Sequence, residues 1–155
     1  MSVNHFRFPM APRLAIVLGA ALLTVAMATD AFALRGRLGA AAMFREDADF
    51  GAQIRWTRGP GEKLNLVPQA GYFFDDELFD FNLDLNYTVN QKDEKTRFYV
   101  LGGGNLITDF DGSDAGINLG AGLSKDLTTS LNGFVELKWV LSDLDGLALH
   151  LGLSF

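Results

Sequence analysis

The sequence predicts an all-β fold, an eight-stranded antiparallel up-and-down transmembrane β-barrel. Three observations predict it. Beyond an apolar leader, large apolar residues alternate with small or polar ones at period two, which only an extended strand sorts onto two faces. The alternation comes in segments of about ten residues, the length of a tilted membrane strand, each closed by a short polar turn. And the polar face is made of glycine, asparagine, serine and aspartate with few lysines, which suits the inside of a narrow barrel better than a surface in water.

The leader comes first in the chain. Arg7 and Arg13 precede the uninterrupted apolar run 14–27, and Ala31-Phe32-Ala33 supplies a small-x-small cleavage site. Residues 1–33 are therefore expected to be a signal peptide and 34–155 the barrel. The apolar run is shorter than the ~20 residues a spanning helix needs.

Eight segments follow, over 35–44, 48–56, 63–74, 78–89, 97–110, 115–127, 130–142 and 146–155. The fourth is the clearest: Phe79, Phe81, Leu83, Leu85, Tyr87 and Val89 share one face, and Asp80, Asn82, Asp84, Asn86 and Thr88 the other. Pro68 in the third cannot donate to a ladder, so it marks a strand edge or a bulge. The fifth, "FYVLGGGNLI", is apolar on both faces, and Phe98, Val100 and Leu106 are assigned outward by a small margin. In the sixth, Ile117, Leu119, Ala121 and Leu123 oppose Asn118, Gly120, Gly122 and Ser124; in the seventh, Leu131, Val135, Leu137, Trp139 and Leu141 oppose Asn132, Glu136, Lys138 and Ser142. The eighth places Leu147, Leu149, Leu151, Leu153 and Phe155 on one side of Ala148, His150, Gly152 and Ser154.

Which face meets water decides between two barrels. A soluble ligand-carrying barrel turns its apolar face inward and covers its outside with lysine and glutamate. Here the apolar face is bulky and the polar face small, so the bulky face is expected in hydrocarbon. Closure then removes the strand edges that lipid could not satisfy.

Composition excludes several functions. The 155 residues are 48% hydrophobic and 21% charged, with 17 glycines and a net charge of -6, a balance that argues against a nucleic-acid partner. The absence of cysteine excludes disulfides, thiolate metal sites, a cysteine nucleophile and a lipidated cysteine. The residues call for no cofactor. His150 is the only histidine beyond the leader, and Ser154, four residues along the same strand, lies about 13 Å away at ~3.3 Å per residue, too far for a nucleophile and its base. No catalytic residue is assigned.

The inward set combines Arg35, Arg37, Arg55, Lys138 and His150 with Asp80, Asp84 and Glu136. Charges of both signs in a narrow lumen are expected to pair, since an unpaired one would cost several kcal/mol. With Phe73 and Phe134 also inward, the pairs fill the lumen, which speaks against a wide pore. The inward glycines Gly39, Gly51, Gly71, Gly120, Gly122 and Gly152 leave open a narrow, low-conductance path. His150 is expected to bond to Glu136 or a neighbour.

The leader, the eight amphipathic segments, "YVLGGGNLI" followed by "INLGAGLSKDL", and the terminal "LHLGLSF" together resemble the small outer-membrane β-barrels of the OmpA and OmpX type, over the whole of 34–155. The resemblance implies an outer-membrane location in a Gram-negative-type bacterium, a monomer, and contact with outer-membrane lipid and lipopolysaccharide. It further implies that Leu149, Leu151, Leu153 and Phe155 are read by the outer-membrane assembly machinery. It speaks more to shape than to activity. Relative to that family, a carboxyl-terminal peptidoglycan-binding domain and long outer loops are not expected.

Family topology turns "REDAD", "DDE", "DFDGSD" and "SDLD" outward, a nearly pure acidic rim, while the opposite turns mix signs. Oxygen ligands suit Mg²⁺ and Ca²⁺, so Asp109, Asp111 and Asp114 are the candidate divalent-cation rim; a solvated acidic edge is the plainer reading, and the segment lacks EF-hand spacing. The function these features imply is structural and non-enzymatic, with a narrow channel or a soluble exported binding barrel as alternatives.

Overall fold

A computed structural model describes residues 36–46, 49–59, 63–91, 93, 95–109, 111–143 and 145–155. The expected signal peptide and Arg35 lie outside the described residues. Eight strands run β1 Arg37–Arg45, β2 Asp49–Thr57, β3 Leu64–Phe73, β4 Leu78–Gln91, β5 Thr96–Thr108, β6 Ser113–Asp126, β7 Asn132–Leu141 and β8 Gly146–Ser154. Each pairs antiparallel with the next, and β1 pairs with β8, closing the barrel. Closure is sealed by Leu38 and Phe155, which exchange backbone hydrogen bonds of 3.0 and 2.8 Å.

The period-two pattern drives this architecture. On β4 the side chains at Phe81, Leu83, Leu85 and Tyr87 are exposed, and those at Asp80, Asn82, Asp84 and Asn86 are buried. Around the barrel the same inversion holds: among the described residues, buried polar and charged side chains outnumber buried apolar ones, and the large apolar residues lie outside. Water would penalise that distribution on both counts, since it exposes a continuous apolar wall and buries charge.

Aromatic residues on the wall gather at one end of β1 to β4. Phe44, Phe50, Phe74, Tyr72, Phe79 and Phe81 form an unbroken chain of ring contacts, with centroids from 4.9 to 6.4 Å apart. This is the composition of an interfacial aromatic girdle.

Two irregularities have local causes. The β2–β3 ladder pairs Arg55 with Gln69, then opens where Pro68 has no N–H to give, and closes again in the same register at Arg58 and Leu66. The edge or bulge expected at Pro68 is thus a gap without a slip, and on its other side Pro68 stays in register with Leu83. The real bulge lies elsewhere, between Thr88 and Asn90 of β4.

The fifth strand resolves as assigned. Phe98, Val100 and Leu106 face out, while Tyr99, Leu101, Asn105 and Ile107 are buried. Predicted and observed strand limits differ by a few residues at most. The first strand begins at Arg37 rather than 35, and β5 ends at Thr108 rather than 110.

Candidate functional site

The inside of the barrel has three zones along its axis. At the end bearing the β1–β2, β3–β4, β5–β6 and β7–β8 turns Met43 packs on Phe73, Ile107, Val140 and Ala148 are also buried, and the Arg45 side chain is buried where β1 ends. Glycines make room for these side chains. A methyl group on Gly71 would lie 2.5 Å from Met43 Cε, and one on Gly51 would lie 3.0 Å from both Met43 and Phe73.

The middle zone holds the charges. Lys138 Nζ donates to Asp84 Oδ2 at 2.6 Å and to Gln69 Oε1 at 2.9 Å, and it stands 3.7 Å from Glu136 Oε2. Gln69 Nε2 donates to the same Asp84 oxygen at 2.7 Å, and Asn118 Nδ2 donates to the other at 2.9 Å. Glu136 Oε1 takes Arg55 Nη2 at 2.8 Å and the Tyr99 hydroxyl at 2.7 Å. Two cations and two carboxylates therefore form one buried, mutually neutralising cluster that crosses the lumen. Above it, Asp80 accepts from Asn82 at 2.8 Å and from Asn105 at 3.2 Å, and Asn118 also donates to Asn82 at 2.6 Å. The Arg55 guanidinium lies 4.2 Å over the Phe134 ring.

Toward the end where β1 begins and β8 finishes, the lumen widens into a cavity of about 490 Å³. Arg37, Arg55, Arg97, Tyr99, Asn86, Asn132 and Ser154 are among the residues that line it. Asp126 spans its mouth, with Oδ1 at 3.0 Å from Arg37 Nη1 and Oδ2 on Arg97 Nη2. On the turn beside it, Asp93 accepts the backbone N–H groups of Lys95 and Thr96, which hold its carboxyl below the usual carboxylate range.

Of the residues assigned to a lumen charge network, Arg55, Asp84, Glu136 and Lys138 are brought together and Asp80 lies beside them. Arg37 lines the wide end of the lumen, outside that cluster. It is the first residue of β1, so its side chain lies at the mouth, where it pairs with Asp126 instead of joining the cluster. His150 is inward and opposite Glu136 in register, but its Nδ1 lies 3.1 Å from Gln53 Nε2. Ser154, four residues on, is 3.5 Å from Asn132 Oδ1.

The inward glycines do not all leave open space. A methyl at Gly122 would lie 2.5 Å from the Tyr99 ring, and one at Gly152 would lie 2.5 Å from Phe134. The space above these glycines is occupied by the large side chains of the residues paired with them on the neighbouring strands.

At the rim, the carboxylate of Asp109 is spent on the turn itself, accepting the N–H groups of Asp111 at 3.0 Å and Gly112 at 2.7 Å. Among the described residues no three histidine or carboxylate side chains converge on one ion position, so Asp109, Asp111 and Asp114 do not form a preformed cation site. Leu149, Leu151, Leu153 and Phe155 lie on the outer face of β8 and just beyond it.

Met43, Gln53, Gln69, Tyr99, Arg97 and Asp126 were not singled out from sequence. Strand parity points to all six, since each lies two residues from an inward position, Arg97 from Tyr99 and Asp126 from Ser124 among them.

Known structures share this fold. The N-terminal β-barrel domain of Pseudomonas aeruginosa OprF superimposes with a TM-score of 0.64 at 20% identity, over 77% of this chain and 95% of that one. A designed transmembrane β-barrel gives 0.64 at 15% identity over 77% and 92%, and a second, the designed barrel TMB2.3, gives 0.60 at 17% over 77% and 91%. The resemblance to small OmpA-type barrels thus holds at the level of fold. No protein-family model matches the chain, and no curated protein sequence does.

Proposed function

We propose that this chain is a non-enzymatic integral outer-membrane protein with a structural, barrier-maintaining role, monomeric in the lipid and presenting an acidic rim to the exterior. The observation that carries the reading is the combination of an apolar outer wall with a lumen stoppered twice, by Met43 and Phe73 at one level and by the Arg55, Glu136, Lys138 and Asp84 cluster at the next. Such a barrel occupies membrane and seals it.

Outer-membrane lipid and lipopolysaccharide are the partners of the wall and rim. The exposed edge of Leu149, Leu151, Leu153 and Phe155 is the segment offered to the assembly machinery. The inward histidine bonds to an amide, and the nearest serine on its strand lies at another level, an arrangement suited to packing rather than to acyl transfer.

The competing reading is a narrow channel, to which the cavity at one end would contribute an entrance. Planar-bilayer recording of the refolded barrel separates the two. A sealed bilayer is expected, and stays sealed when Asp84 is replaced by Asn. Discrete conductance steps that change with D84N would make the protein a channel.

A further inference from the structure

The cavity at the β1-start end has a chemistry that the sealing function does not use. Among the described residues three arginines line it, no carboxylate-bearing residue does, and most of the remaining wall is amide and hydroxyl: Asn65, Asn86, Asn132, Thr57, Thr88, Ser124 and Ser154. Its volume of about 490 Å³ falls in the range of small-molecule sites.

From these features we propose that the cavity binds a small hydrophilic anion, a phosphate or carboxylate carried on a hydroxyl-rich body, with Arg37 and Arg97 holding the oxyanion and Arg55 closing the floor.

Two further observations point the same way. Arg55 is buried, and only its Nη2 is engaged by Glu136; Nε and Nη1 have no hydrogen-bond partner among the described residues. Those two nitrogens have almost no accessible surface, so a ligand in the cavity meets Arg55 as positive charge at the floor and not through them. Second, the mouth already holds an oxyanion in this geometry: Asp126 bridges Arg37 and Arg97, and takes Asn132 Nδ2 at 3.0 Å as well. Arginine forks fit phosphate and carboxylate alike, so a ligand anion meets the same donors that the Asp126 carboxylate meets. Asp126 is only half-buried and tethered to the end of β6, which makes it an internal competitor. Its strength sets the affinity of the site.

The probe is glycerol 3-phosphate, titrated by calorimetry and amide NMR into the full barrel refolded in a nonionic maltoside. Heat-modifiable migration serves as the folding check for every variant. Saturable binding is expected, with shifts at Ser124, Asn132 and Ser154, no response to glycerol, and weakening as salt rises. D126N tightens binding several-fold. R97Q weakens it at least tenfold, and R37Q, at the exposed mouth, gives a second reading where R97Q fails to fold. Phosphatidylglycerol in mixed micelles distinguishes two sources of the same chemistry: displacement of the probe assigns the site to a lipid headgroup, and no displacement assigns it to a free solute. The proposal is overturned by an absence of saturable binding to both wild type and D126N, by equal binding of glycerol, or by binding that neither Arg97 nor Arg37 affects.

Discussion

Lys138 shows how a single residue can be indispensable without adding net stability. Its ammonium is buried between Asp84 and Glu136, and each of these carboxylates has a second cation or amide partner. Removing one member of such a cluster leaves an uncompensated charge in a dry interior, at a cost of about 3–5 kcal/mol, whereas replacing a whole pair by apolar groups costs much less. K138M is therefore expected to lower the urea midpoint of the refolded barrel steeply, and K138M with D84L to recover part of the loss. Both residues were legible as inward from strand parity alone. That Lys138 meets Asp84, three strands away around the barrel and far along the chain, was not. The pairing depends on how the strands are staggered on closure, a property of the whole sheet. The same gap explains Arg37: parity put it inward, but parity does not say where along the axis the wall ends.

At the scale of an element, β5 is the instructive strand. Its "GGG" run is apolar on both faces in sequence, and its neighbours settle it: Gly103 sits in register with Asp84 of β4 and Asn118 of β6, both inward and buried. The three glycines are not equivalent. A methyl at Gly103 would overlap the Leu83 carbonyl and the Asp84 carboxylate, whereas at Gly104 its nearest neighbour is the Gly116 carbonyl oxygen at 3.9 Å. Accordingly G103A is expected to destabilise the barrel by about 1–3 kcal/mol in urea unfolding, and G104A to leave it within about 0.5 kcal/mol of wild type. The adjoining strand tests the direction of its faces. Leu83 is exposed on the wall near the middle of β4. Arginine there should cost about 2–4 kcal/mol when the protein is folded in a bilayer. A wall facing water would accept L83R with no loss, and its solubility would rise. This outward set was the most readable part of the sequence because it depends only on alternation. The break at Pro68 was readable as a lost donor, but its outcome, a gap that preserves register, depends on the partner strand.

On the scale of the whole molecule, charge is sorted along the barrel axis. Glu46, Asp75, Asp76, Glu77, Asp109, Asp111, Asp114, Asp143 and Asp145 lie at one end. Arg37, Arg58, Lys63, Lys95, Arg97 and Lys125 gather at the other, with Asp93 and Asp126 among them. The acidic turns could be read directly, whereas the basic end could not, because several of its members close strands rather than populate turns. Between the ends stand the two stoppers, and around them the apolar wall. The central claim is that this wall faces lipid. It is tested most directly by fractionating cells that express the chain and running the outer-membrane pellet on a denaturing gel with and without boiling. The account predicts that the chain pellets with the outer membrane and migrates differently before and after heating, as a closed barrel that survives detergent does. A chain that stays in the soluble fraction and runs identically in both lanes would contradict it.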